Sequence, residues 1–191
     1  MSSKEKRLVL RWIAWNALAW SAAIGATFSF QGPWVWIVSG AMVGTAQWLA
    51  FDGRLHQAAT WIAGTCFAWT LGIWAGNLHG FLVLDPYWAG IAGGTLAGLA
   101  QACVLWRQVS WPALWIPMTI VSWTLGWVAG TYAGLWIFDS CSLLVACFAG
   151  GAVGGAIIGA ASAPLLLAML RHPKPRQGRG AMIETTRGLC I

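Results

Sequence analysis

Three histidines, five cysteines and five carboxylates are the whole stock from which this chain could assemble an acid–base, metal or nucleophilic centre. His56, His79 and His172 are isolated and lie near loops, with no second ligand at metal spacing. Ligation of a haem or chlorophyll-type pigment by His79 stands open, against the plainer reading of a loop histidine with no role. Cys66, Cys103, Cys141, Cys147 and Cys190 show neither metal nor redox spacing, and Cys190 is next to last, where it makes no prenylation box. They read as small apolar core residues. The sequence holds no Ser-His-Asp set, phosphate loop or paired carboxylate. An enzyme is not expected, and no catalytic or metal site is assigned.

The polar residues that remain are neutral, and they recur. Gln47 and Gln101 lie about one turn from one end of their apolar runs; Thr65 and Thr119 lie nearly two turns into the runs that follow. At about 1.5 Å per residue each Gln reaches the depth of its Thr. A Gln–Thr hydrogen bond within each helical hairpin is therefore expected, with Asn16 at the third such position. The set is a helix clamp or, alternatively, a polar lining for a solute or ion. Trp20, Trp69 and Trp123 sit near the middle of their runs, and a buried indole still wants a partner for its N–H. They read as core packing or as contacts to a bound apolar molecule: a lipid, a quinone, a carotenoid or a chlorophyll-type pigment.

The elements that position these residues are transmembrane helices. Apolar residues make up 59% of the chain and charged ones 8%, far from a soluble domain. Six long apolar stretches stand out: Val9–Phe28, Trp34–Phe51, Ala59–Gly76, Trp88–Trp106, Pro112–Leu135 and Cys141–Leu170. The first is too long for a cleavable signal and carries the tryptophan pattern of the others. The organisation expected is a basic cytoplasmic segment 1–8, a transmembrane domain 9–170 and a basic cytoplasmic tail 171–191. Lys4, Lys6, Arg7, Arg11, Arg54, Arg107 and the tail cations all fall on one side of this arrangement, which makes both termini cytoplasmic. The net charge of +6 flanks membrane segments, so anionic lipid headgroups rather than nucleic acid are its counter-charge. Apart from Arg11 near its start, no stretch holds a charged residue, which argues against proton-coupled transport or voltage sensing.

Residues 34–85 repeat at 88–139 without a gap. The matches include Gly40/Gly94, Gly44/Gly98, Gln47/Gln101, Trp61/Trp115, Thr65/Thr119, Trp69/Trp123 and Asp85/Asp139. The unit is a duplicated helical hairpin. Half-units flank it: Trp12, Asn16 and Trp20 stand where Trp61, Thr65 and Trp69 do, and Gly151 and Gly155 repeat the glycines, with Ile158 in place of the Gln. Pairing of the end helices would close an all-α, pseudo-threefold bundle of six. Gly40, Gly44, Gly94, Gly98, Gly151 and Gly155 are expected to let backbones approach. Trp34, Trp36, Trp88 and Trp136, and at the other end Trp12, Trp48, Trp61, Trp106, Trp111 and Trp115, are expected to form interfacial belts. Asp85 and Asp139 are expected to cap helices, and Pro117 and Pro164 to kink them.

The elements "GTAQW" and "WTLGWVAG" resemble those of small bacterial six-span membrane proteins with repeated Gly-x-x-Gln-Trp and Trp-x-x-Gly signatures, whose activity is uncharacterised. The resemblance covers Gly40–Gly130 and implies the fold and a place in the bacterial cytoplasmic membrane, not an activity. Energy-coupling-factor substrate-binding subunits are similar in length and span count, with an echo of their small-residue surface in Ala17, Ser21 and Gly25. The leading expectation is a non-catalytic accessory subunit of a larger respiratory or photosynthetic membrane complex, contacting lipid and other subunits. The alternative is a small transporter, or the membrane component that binds a neutral, partly apolar solute.

Overall fold

The computed structural model describes residues 1–30, 32–79 and 85–173, with the backbone alone at 78 and 79. It is all-helical: α1 (Ser3–Ser29), α2 (Pro33–Ala50), α3 (Ala58–His79), α4 (Pro86–Leu105), α5 (Trp115–Phe138) and α6 (Leu143–Arg171), with a 3-10 turn over Pro112–Leu114. No strand occurs among the described residues. Helices α1, α4, α5 with its leading turn, and α6 are long and apolar enough to cross a membrane, the mark of a membrane protein.

Helix ends follow local chemistry. Ser2 caps α1 in a reciprocal box with Glu5, and Gly32-Pro33 opens α2. Asp85 caps α4 as expected, accepting from the backbone N–H of Tyr87 at 2.9 Å and Trp88 at 3.3 Å. Asp139 does not. It is the last cap residue of α5, and Ser142 caps α6 instead, accepting from Val145 N–H at 3.4 Å. Asp85 immediately precedes its helix, whereas Asp139 lies three residues short of the α6 cap. Pro117 also departs from expectation: it falls in the first turn of α5, where its missing N–H has no helical acceptor to lose. Pro164 does lie inside α6.

Each helix packs on its chain neighbours, and α6 packs on α1, so the six form a closed ring. The α2–α3 loop is tied to the α4–α5 loop by His56 N–H on Gln108 Oε1 (2.8 Å), and to α1 by the Arg11–Asp52 pair (3.0 Å). Ser110 N–H reaches the His172 carbonyl at 3.1 Å, and Arg171 meets Glu5 at 2.8 Å. One end of the ring thus gathers Lys4, Lys6, Arg7, Arg11, Arg54, Arg107 and Arg171. We call it the basic end. The rest of the expected tail, Lys174 to Ile191, lies outside the described residues.

Glycines seat the even helices on the odd ones. A methyl at Gly40 would stand 2.7 Å from Cys66 Cα, at Gly44 3.0 Å from Ile62 Cα, at Gly94 2.8 Å from Ile120 Cα and at Gly98 2.9 Å from Ile116 Cα. On α6 the matching pair is Gly155, against Trp20 Cβ as Gly40 is against Trp69 Cβ, and Gly159, 2.8 Å from Ile13 Cα. The α6 register is therefore one turn later than the letters suggest. Gly151 faces Ser21, as Gly90 faces Thr124, and Ser162 rather than Ile158 stands at the glutamine position. A second seam joins α5 and α6: methyls at Gly130 and Gly154 would stand 2.7 Å from the carbonyls of Gly150 and Gly126.

Candidate functional site

The odd helices turn a repeated Trp-x-x-x-(Asn/Thr)-x-x-x-Trp face inward: Trp12-Asn16-Trp20, Trp61-Thr65-Trp69 and Trp115-Thr119-Trp123. Steps of four residues, about 6 Å of rise, keep each set near one face and stack three layers along the axis.

The layer nearest the basic end is aromatic. Trp12 lies 5.1 Å from Phe51 and 6.3 Å from Trp115, and Trp61 lies 4.9 Å from Phe51. Trp12, Trp61 and Trp115 are thus fully buried, not members of an interfacial belt, because they share the inward face of Asn16, Thr65 and Thr119. Trp34, Trp88, Trp106, Trp111 and Trp136 do stand exposed on the outside.

The middle layer is polar and closed upon itself. Trp115 Nε1 donates to Gln101 Oε1 at 2.7 Å. Gln101 Nε2 donates to Gln47 Oε1 at 3.1 Å and to Thr65 Oγ1 at 2.9 Å. Gln47 Nε2 passes on to Asn16 Oδ1 at 3.0 Å, and Asn16 Nδ2 ends on the Trp12 carbonyl at 2.8 Å. Trp12 Nε1 then donates to Ser162 Oγ at 2.9 Å. All six helices are joined by this one chain of bonds, and every member is buried. The expected Gln–Thr bond thus forms between repeats: Gln101 takes Thr65 of the preceding hairpin, and Thr119 Oγ1 turns to the Trp115 carbonyl. Both Gln101 donors are engaged, whereas Gln47 and Asn16 each commit one of their two amide hydrogens.

The third layer is aromatic again. Trp20 packs edge-to-face on Trp69 (4.7 Å), Trp123 (5.3 Å) and Trp127 (5.3 Å). Buried indole N–H groups go without a partner in both aromatic layers: Trp20, Trp69 and Trp127 here, and Trp61 and Trp48 toward the basic end. Beyond this third layer, at the end opposite the basic one, a cavity of about 510 Å³ opens inside the ring. Trp20 and Trp127 form part of its wall, with Ile24, Trp36, Ile73 and Cys147; Trp69 and Trp123 lie behind it. Gly126, Gly130 and Gly134 of α5 and Gly150, Gly151 and Gly154 of α6 also border it, although a methyl on any of them would meet the neighbouring helix rather than the open space. Thr27, Thr131 and Asn77 supply polar groups, and among the described residues no charged one lines it. Its size is that of small-molecule sites, about 300–1,000 Å³.

At the basic end a smaller cavity of about 280 Å³ is bordered by Lys4, Arg7, Arg11, Asp52 and Arg54. Arg11 is held there by Asp52 and by the Leu49 carbonyl at 3.0 Å. Among the described residues no set of His, Cys, Asp and Glu could hold a metal ion, and the side chain of His79 lies outside them. Ser162, Trp127 and the seam that Gly126 and Gly130 form with Gly150 and Gly154 were not foreseen from the sequence. The four-residue spacing of Gly126, Gly130 and Gly134 was the available signal. Compared with known proteins, the chain matches no family model, no curated protein and no solved structure.

Proposed function

We propose that the chain is a non-catalytic, six-span bacterial inner-membrane protein that holds one apolar guest in the cavity opposite its basic end. It serves as an accessory subunit of a larger membrane complex, respiratory or photosynthetic. The carrying observation is the asymmetry along the axis: at one end a cavity of about 510 Å³ with no charged residue among its described walls, and beneath it a buried polar and aromatic stack. A lipid, quinone, carotenoid or chlorophyll-type pigment suits such walls. Helices α2 and α3 complete the ring between membrane-length neighbours, which supports six spans of pseudo-threefold arrangement. The basic end is cytoplasmic by the positive-inside rule, and its cationic cavity suits anionic lipid headgroups.

The transport reading finds less support. A solute moving along the axis would have to part Asn16, Gln47, Thr65 and Gln101 from one another, and then pass Trp12, Phe51, Trp61 and Trp115.

Cys147 in the cavity wall offers the test. With the other cysteines replaced by Ser, N-ethylmaleimide modifies Cys147 slowly in gently extracted protein and faster after detergent exchange removes the guest. Equal rates before and after exchange refute guest holding.

A further inference from the structure

We infer that the cleft at the basic end is a binding site for one phosphate group, held by Lys4, Arg7 and Arg54. This rests on the reading of the basic end given above, not on guest holding. It narrows a general attraction for anionic headgroups to a single site.

The cleft, about 280 Å³, lies between α1 and the chain that leaves α2. Lys4, Arg7, Leu8 and Arg11 are spaced at i, i+3, i+4 and i+7, so they share one face of α1. Across from them, Asp52 and Gly53 are both left-handed, at φ of +56° and +72°, in the turn that brings Arg54 to the cleft. Buried Leu8 and Ala50 complete the border.

The balance of charge decides what such a cleft takes. Four cations and one carboxylate border it. The carboxylate, Asp52, is engaged with Arg11, whose other terminal nitrogen holds the Leu49 carbonyl. Lys4, Arg7 and Arg54 remain, and none forms an ion pair among the described residues. Nor is a carboxylate at hand for them. Glu5 is bound to Arg171, Asp85 and Asp139 lie at the opposite end of the ring, and Glu184 falls outside the described residues. Like charges around one hollow repel unless an anion sits among them. Two guanidiniums and an ammonium from two elements suit the several charged oxygens of a phosphate better than the two of a carboxylate. The cleft also lies where the apolar length of α1 begins, the depth of headgroup phosphates in a membrane.

A lipid headgroup and a soluble phosphate ester share this chemistry, and two titrations separate them. Phosphatidylglycerol is added to delipidated protein in neutral detergent, with occupancy read by native mass spectrometry. Glycerol phosphate, the same headgroup phosphate without acyl chains, is titrated by calorimetry into protein in phosphatidylcholine nanodiscs. One phosphate-bearing molecule per chain is expected in at least one titration, and the one that succeeds names the source. Lys4→Gln, Arg7→Gln and Arg54→Gln should each weaken it about fivefold, the share of one cation near a membrane surface. Arg107→Gln, equal in charge but outside the cleft, should stay within about twofold. All four side chains are exposed, so the variants are expected to fold. If Arg107→Gln weakens binding as much as the other three, the attraction is diffuse; the site is overturned and the reading of the basic end stands. Cleft variants that all bind like wild type overturn the site as well. If neither phosphate compound binds the wild type, the site and that reading fall together, and guest holding, tested at Cys147, is untouched.

Discussion

Replacing Gln101 by Leu is the sharpest probe of the polar layer. The change keeps the side chain's bulk nearly constant, so the cavity contribution is small. It removes a 2.7 Å bond from Trp115 and bonds of 3.1 Å and 2.9 Å to Gln47 and Thr65. Side-chain hydrogen bonds between membrane helices average about 0.6 kcal/mol, so their loss amounts to about 2 kcal/mol. The stranded Trp115 N–H, buried with no other acceptor, adds about 1–3 kcal/mol. A total on the order of 3–5 kcal/mol is expected. Gln47→Leu breaks only the bonds to Asn16 and from Gln101, and should cost about half as much. Because the Gln47–Gln101 bond is lost in both, the double variant should cost about 1 kcal/mol less than the sum of the singles. Reversible unfolding in mixed micelles with increasing SDS measures all four proteins. If Gln101→Leu lies within about 0.5 kcal/mol of wild type and the pair is additive, the layer is not a clamp and the reasoning fails.

Three further outcomes follow from separate parts of the structure. Gly94→Ala places a methyl 2.8 Å from Ile120 Cα and from the Thr119 carbonyl, so α4 and α5 must part, costing about 1–3 kcal/mol. Gly53→Ala, with open space around it but φ of +72°, loses about 1 kcal/mol through backbone strain alone, and thermal unfolding ranks the two. Asp85→Ala loses the α4 cap, about 1 kcal/mol, whereas Asp139→Ala, which removes no N-cap side chain because Ser142 caps α6, stays within about 0.5 kcal/mol in the same assay. The Arg171 guanidinium, with help from the Ser2 backbone, holds the Glu5 carboxyl down to about 2 against an ordinary 4.5. A depressed carboxyl stabilises the fold above its unfolded value and loses that effect as pH falls through the folded one. The melting-temperature gap between wild type and Glu5→Gln should therefore be full above pH 4.5 and close toward pH 2.

What the letters revealed and what they hid have physical causes. The all-helical ring and the capping by Asp85 were readable because apolar length and N-cap chemistry act locally. The α6 register was not. Gly150, Gly151, Gly154, Gly155 and Gly159 offer two ladders at four-residue spacing, one facing α5 and one facing α1, and spacing alone cannot say which glycine answers to Gly40. The first aromatic layer was misplaced because depth along a helix was used without direction. Trp12 is near a helix end, yet it lies one turn from Asn16 on the same inward face. The Gln–Thr pairing had the right depth but the wrong partner, since both neighbours of α4 carry a threonine at equal depth and Gln101 bonds Thr65, the one farther away in sequence. The cavity is bordered by residues of α1, α2, α3, α5 and α6 that meet at one end, a coincidence visible only once they are packed.

The most direct test of guest holding is a molecular inventory of the protein, extracted from its native membrane into nanodiscs without stripping. Mass and absorbance analysis should find one apolar molecule per chain, together with partner subunits at fixed ratio. Thr131→Trp, which puts an indole into the cavity wall, should abolish that molecule and leave the partners. Bulk lipid at no fixed ratio, unchanged by Thr131→Trp, would contradict the account.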